Sequence, residues 1–157
     1  MKSVITFITG AFIAILMSCT NGKQATKTDT GKETVVTADA LYGPKWLLTK
    51  IHQDNQVRDV TAGKAFIRFN REEGSAGGNG SCNSFGSTLK ADGNAITMTD
   101  IFSTKMYCDA VQSIEDSFFK QLAKVTRFEI KGTTLLLYEK DTVVLEFQKG
   151  EEKPNNA

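Results

Sequence analysis

Residues 127–147 constrain the fold more than any other part of the chain. In RFEIK, Phe128 and Ile130 alternate with Arg127, Glu129 and Lys131. Gly132-Thr133 makes a turn before TLLLYE (134–139), and in TVVLEF, Val143, Leu145 and Phe147 alternate with Thr142, Val144 and Glu146. Successive side chains of a strand point to opposite faces, so alternation in such short segments means strands with one wet face and one dry. Strands joined by tight turns pair antiparallel, and their shared dry face needs a cover.

Upstream, Trp46-Leu47-Leu48 opens a strand running to Gln53, and 65–69, 87–91 and 95–98 are further strand candidates. One segment breaks the pattern. In 109–125, Val111, Ile114, Phe118, Leu122 and Val125 recur at helical spacing, which lays a single apolar stripe along a helix. Asp109 is placed to cap its first turn, with Gln112 as the capping-box partner. The expected fold is α+β, mainly β: a small antiparallel, barrel-like curled sheet of about eight strands with one helix packed on it.

The start of the chain reads differently. Lys2 precedes an uncharged apolar run from Val4 to Met17, shorter than the roughly 20 residues a membrane-spanning helix needs but suited to a signal peptide. Leu16-Met17-Ser18-Cys19 then resembles a bacterial lipobox, with an aliphatic residue at −3, a small one at −1 and Cys19 as the lipidated first residue. A secreted signal cut elsewhere, or a short anchor helix, is the competing reading, but no A-x-A site is present and the cysteine falls where the apolar run ends. Residues 1–18 are thus expected to be a lipoprotein signal peptide and 19–40 the lipidated cysteine with a polar tether. Residues 41–149 form the folded domain and 150–157 a polar tail. Losing residues 1–18 removes Lys2, the one charge there, and leaves 18 basic against 18 acidic residues. Without a basic stripe, nucleic-acid binding has no electrostatic basis.

The chemistry-bearing residues are few. The glycine-rich run Gly77 to Ser87 has neither the GK[ST] ending of a phosphate loop nor the strand–GxGxxG–helix setting of a dinucleotide loop. Gly77, Gly78 and Gly80 are expected to supply positive φ or close backbone approach at a turn or bulge, with Asn79 and Asn83 bonding local backbone. If Cys19 is lipidated, Cys82 and Cys108 are the remaining thiols. They pair if the domain lies in an oxidising compartment, or stay as buried free thiols if it does not. A bond across their separation contributes about 3–4 kcal/mol by chain entropy. His52 is the single histidine, too little for a four-ligand zinc site or an activated cysteine. No catalytic residue, cofactor or metal is expected.

On these residues the domain resembles the META domain family, of which the heat-shock protein HslJ is a member. The matching elements are Trp46-x-Leu48, Ile67-x-Phe69, Gly80-Ser81-Cys82-Asn83-Ser84-Phe85 and Thr104-Lys105-Met106-Tyr107-Cys108. Glu115 and Leu122 on the helix and Leu135-x-Leu137 complete the set. The family's usual runs are GCN and T-x-M-A-C, so this chain carries Ser81 before Cys-Asn and Tyr107 where alanine is usual. The resemblance implies a barrel-like α+β domain without established catalytic residues, often on an envelope lipoprotein, linked in some members to heat shock, antibiotic resistance or motility. It marks Trp46, Gly80, Asn83, Phe85, Thr104, Met106 and Glu115 as family-motif positions, and the glycine run as a bend bringing Cys82 toward Cys108.

The functional expectation is a membrane-anchored, monomeric envelope lipoprotein, held by its lipid on the periplasmic side of the outer membrane. It is expected to bind an envelope protein or wall component in stress tolerance. The alternative is a carrier of a small apolar ligand inside the barrel. Trp46, Phe66, Phe69, Phe85, Phe102, Phe118, Phe128 and Phe147 are expected to fill the barrel and so to oppose the carrier reading.

Overall fold

The computed structural model describes residues 38–60 and 64–150. The signal peptide, Cys19, the tether up to residue 37 and the tail from residue 151 lie outside the described residues. A short 3-10 turn, Ala38–Leu41, leads into nine strands and one helix. The strands are β1 (Trp46–Gln53), β2 (Gln56–Asp59), β3 (Phe66–Asn70), β4 (Ser75–Asn79), β5 (Ser84–Asp92), β6 (Ala95–Ser103), β7 (Arg127–Lys131), β8 (Thr134–Glu139) and β9 (Thr142–Lys149); the helix α1 (Gln112–Leu122) lies between β6 and β7.

All pairings are antiparallel, in the order β2-β1-β3-β4-β5-β6-β7-β8-β9, and β9 returns to pair with β1. That last pairing closes eight strands into a barrel, which removes its free edges. β2 stands outside the ring as the second arm of a hairpin on β1. Its turn residues Asp54 (φ 51°) and Asn55 (φ 60°) both lie in the left-handed region, as a two-residue I′ hairpin demands. The weakest seam is β6–β7, paired through Ala95 and Arg127 alone. Two bonds flank that pair, Ile96 N–H to Thr126 O (3.0 Å) and Phe128 N–H to Asn94 O (2.9 Å).

The interior is packed with side chains. Trp46, Ile51, Ile67, Ile96, Phe118, Leu122, Phe128, Leu135, Leu137, Leu145 and Phe147 are all fully buried in one cluster. Bulges decide which residues enter it. At Asp100 (φ 52°) the β5–β6 register slips. Ile96 and Met98 therefore point inward while Phe102 turns outward to 70% exposure, since an added residue reverses the parity of everything after it. The expectation that Phe102 fills the barrel is thus corrected. Phe66 is corrected too: Ile67 and Phe69 are the buried residues of β3, and Phe66 lies half-exposed beneath the Lys45 ammonium, 4.0 Å from its ring centre. A second slip, in β8–β9, buries Val144 beside Leu145 and leaves Val143 half-buried, where simple alternation puts Val144 outside.

The strands β2 and β4 are absent from the sequence reading. QVRD is exposed at all four positions, and SAGGN, part of the glycine run, has no apolar alternation. Glycine enters β4 because the chains crowd there: a Cβ on Gly78 would stand 2.0 Å from the Phe66 carbonyl oxygen.

On the outer face Tyr138 donates a 2.6 Å hydrogen bond to Glu129, and the Arg127 guanidinium lies 3.6 Å from the Tyr138 ring centre. The Tyr138 bond holds the Glu129 carboxyl below its ordinary range. Burial, and then that same bond, hold the Tyr138 phenol above its own. A lowered carboxyl contributes stability above the unfolded pKa near 4.5 that is lost as pH falls. A raised phenol contributes stability below pH 10.0 that is lost as pH rises through its folded pKa. Tyr138→Phe is therefore expected to destabilise most between those limits. Urea unfolding at acidic, neutral and alkaline pH checks this, with the wild-type–variant gap narrowing at both ends.

Candidate functional site

The motif residues meet where α1 docks against the β4–β5 bend. Glu115, in the first turn of α1 and 3% exposed, points its carboxylate into that bend. Its Oε2 accepts the backbone N–H groups of Cys82 (2.9 Å) and Asn83 (2.7 Å), and its Oε1 accepts the Asn83 side-chain amide at 2.5 Å. Asn83, also 3% exposed, spends its remaining capacity on the β6–α1 connection. Its Oδ1 accepts the Thr104 hydroxyl (2.8 Å) and the Met106 N–H (2.7 Å), and its Nδ2 also donates to the Met106 carbonyl at 2.9 Å. Two residues thereby join the β4–β5 bend to the β6–α1 connection and to α1, 21 to 32 residues away in sequence. A buried polar network is stabilising when each member is satisfied, and these two are.

The disulfide lies beside this knot. Cys82 and Cys108 are bonded with Cα atoms 5.9 Å apart at a sequence separation of 26, within the reach of a disulfide. Gly80 explains itself here: a Cβ would stand 2.8 Å from the Phe119 ring and 2.9 Å from Glu115 Oε2, so only glycine lets the helix approach. Phe85 begins the packing below, edge-on to Phe118 (5.5 Å) and Phe119 (5.4 Å).

The structure therefore brings together Gly80, Cys82, Asn83, Phe85, Thr104, Met106, Cys108 and Glu115. Trp46 stands apart: it is buried in the core and donates its indole N–H to Leu41 O at 3.0 Å. Asn79 bonds locally, accepting Ser81 N–H at 2.9 Å, but Asn83 does not, and its partners lie 21 to 32 residues away. The expected helix cap is corrected as well. The N-cap residue is Val111 without a side-chain bond, while Asp109 accepts the Tyr107 hydroxyl at 3.2 Å. Gln112 bonds to Asp116 at 2.8 Å.

Positive φ in the bend falls on Ser81 (115°) rather than on Gly77, Gly78 or Gly80. Ser81 Oγ is buried without a hydrogen-bond partner among the described residues. Both features cost stability, and both disappear with glycine. Ser81→Gly is expected to stabilise the domain by about 1 kcal/mol after glycine's greater unfolded entropy is counted. Ser81→Ala removes only the hydroxyl and should gain less. Parallel denaturant curves of the two variants check this.

Beside the knot the chain shows apolar side chains to solvent. Phe102 (70%), Met106 (59%) and Tyr107 (75%) are exposed within one six-residue stretch. The Phe102 ring lies over Gly86, where a Cβ would stand 2.7 Å from Cζ. Sequence reasoning missed Phe102 here because its direction depends on the bulge at Asp100. The one signal available was the Tyr107 departure from alanine.

The fold and this site define a small disulfide-braced β-barrel domain closed by one helix. The META domain profile matches residues 39–152, and the chain belongs to the META domain family. No curated protein matches it. Among solved structures it is similar to a protein from Burkholderia xenovorans determined by NMR, with 18% identity, a TM-score of 0.60, and coverage of 73% of this chain and 86% of that one. It is also similar to a duf4847 family protein from Bacteroides vulgatus determined by crystallography, with 14% identity, a TM-score of 0.54, and coverage of 73% of this chain and 98% of that one. At such identities the likeness concerns the fold.

Proposed function

We propose that this chain is a lipid-anchored envelope protein whose META domain is a non-enzymatic interaction module serving stress tolerance. The observation that carries the reading is how the polar groups at the motif site are used. Glu115 and Asn83 are committed to internal bonds, so the knot braces the domain and offers no free acid, base or nucleophile. The adjoining segment meanwhile displays Phe102, Met106 and Tyr107, residue types favoured at interfaces. The side-chain-filled barrel interior supports a display role over carriage of an apolar ligand.

In this reading Cys19, lipidated after cleavage of residues 1–18, holds a monomeric domain on the periplasmic side of the outer membrane, and residues 20–40 give it reach. Two or three acyl chains make such an anchor stable. Detergent partition and intact mass of wild type and Cys19→Ala test the anchor. Wild type should enter the detergent phase with the added acyl mass and Cys19→Ala should stay aqueous; a wild type that stays aqueous and unacylated overturns it. Crosslinking in the protein's own cells under heat or envelope stress, beside lipid extraction of the purified protein, tests the module. A stoichiometric apolar ligand with no crosslinked contact would replace it by a carrier.

A further inference from the structure

We infer that the cleft between the β1–β2 hairpin and α1 is a binding site for a free α-amino acid. It shares no residue with the Phe102–Tyr107 face and does not depend on the anchor at Cys19. Its first wall follows from the hairpin register. Ile51 lies opposite Arg58 and Gln53 opposite Gln56, and residues two apart on a strand share a face. These four side chains therefore stand on one face of the hairpin. The helix supplies the second wall. Arg58 Nη2 donates to Ser113 Oγ at 3.2 Å, and Ser117, one helical turn on and so on the same side of α1, lines the cleft. With Asp54 at its rim the cleft holds about 350 Å³, within the range of small-ligand sites.

Unspent polar groups in these walls define the chemistry. Gln53 Oε1 is buried without a hydrogen-bond partner among the described residues. The amide orientation is fixed, because Gln53 Nε2 donates to Asp54 Oδ2 at 2.9 Å and a flipped amide would set two acceptors against each other. A buried acceptor left unpaired costs stability, so Oε1 calls for a donor. Arg58 forms no ion pair among the described residues, and Ser113 takes one of its several donors. Its planar fork is open to a carboxylate. Gln53 and Arg58 are diagonal neighbours across the hairpin, about 7–8 Å apart, so their long side chains reach one small molecule together.

The occupant follows from the charges. Asp54, like Arg58, is exposed and forms no ion pair among the described residues. One free cation, one free anion and one orphan acceptor thus share the cleft. An α-amino acid carries the complement of each on a single carbon: a carboxylate for Arg58, and an ammonium for Gln53 Oε1 and Asp54. A phosphate would meet Asp54 as a like charge, and the carboxyl end of a peptide has no ammonium beside its carboxylate. Ile51, 1% exposed, is the apolar residue of the lining and gives an aliphatic side chain its floor.

The test is an NMR titration of the full chain with leucine, N-acetyl-leucine and leucinamide, following the Gln53 side-chain amide and the Arg58 Nε–H. Leucine should saturate both signals with a Kd of about 1 mM, ordinary for so small a ligand. Acetylation removes the ammonium and amidation the carboxylate, and each should weaken binding about tenfold. Arg58→Gln, at an exposed position where folding is not at stake, should weaken leucine about tenfold as well. Asp54→Asn retains a residue type that tolerates the left-handed turn. It should weaken leucine about threefold and leave N-acetyl-leucine unchanged. No saturable shift through tens of millimolar leucine overturns the inference. So does N-acetyl-leucine binding as well as leucine, since the ammonium is then not read, or an Arg58→Gln chain that binds like wild type. None of these results bears on the Phe102–Tyr107 face, whose own test is the crosslink.

Discussion

Asn83→Ala is expected to destabilise the domain by about 3–5 kcal/mol, as much as losing the neighbouring disulfide or more. The amide it removes serves Thr104, both backbone groups of Met106 and one oxygen of Glu115. Each partner left buried and unpaired costs about 1–3 kcal/mol, discounted where water can replace the amide. Thr104 is exposed and recovers a partner; Glu115, at 3% exposure, cannot. Glu115→Ala should cost about as much, because it strands the Cys82 and Asn83 N–H groups. Glu115→Gln separates geometry from size. It keeps an oxygen for the two backbone donors but turns an NH₂ toward the Asn83 amide, setting donor against donor, for an expected cost of about 1–3 kcal/mol. Since the two side chains share one bond, the Asn83→Ala and Glu115→Ala effects should fall short of additive by about 1–3 kcal/mol. Urea denaturation of the two single variants and the double variant measures this. Full additivity would mean that the knot is two independent contacts.

Phe118→Ala should cost about 3–5 kcal/mol and lower Tm by on the order of 15 °C. Phe118 is fully buried, with ring centres of Phe119, Phe85 and Phe147 at 5.3, 5.5 and 6.4 Å. It binds the helix at once to β5 and β9, two strands well separated around the ring. Truncation leaves a void among stiff neighbours anchored on different strands, which relax toward it poorly. Thermal unfolding followed by far-UV circular dichroism provides the check. An unchanged Tm would mean that the helix stripe contributes nothing to the closure of the barrel.

Periodicity alone carried much of the fold. β1, β7 and β8 have the limits that alternation and turn residues predict, and α1 buries Ile114, Phe118 and Leu122 from the expected stripe. Those signals are local: a residue's neighbours two or four positions away report which face it shares. Glycine is demanded wherever the helix or a neighbouring strand approaches the backbone, as at Gly80 and Gly78.

Only the tertiary structure decided the rest. That Glu115 is an acceptor buried in the bend, rather than a solvated helix carboxylate, depends on a contact 32 residues away. That Asn83 clamps the β6–α1 connection depends on where β6 ends. A one-residue bulge at Asp100 turns Phe102 from the interior to the surface, and another in β8–β9 buries Val144. Pattern in the sequence carries no record of such a slip, because the same residues satisfy either parity until neighbouring strands fix the register. The sequence by itself determined seven of the nine strands, all but β2 and β4, and the helix. Which side chains close the barrel, which knot it and which face outward was decided when the barrel closed, because long-range pairing sets register and register sets every side chain's direction.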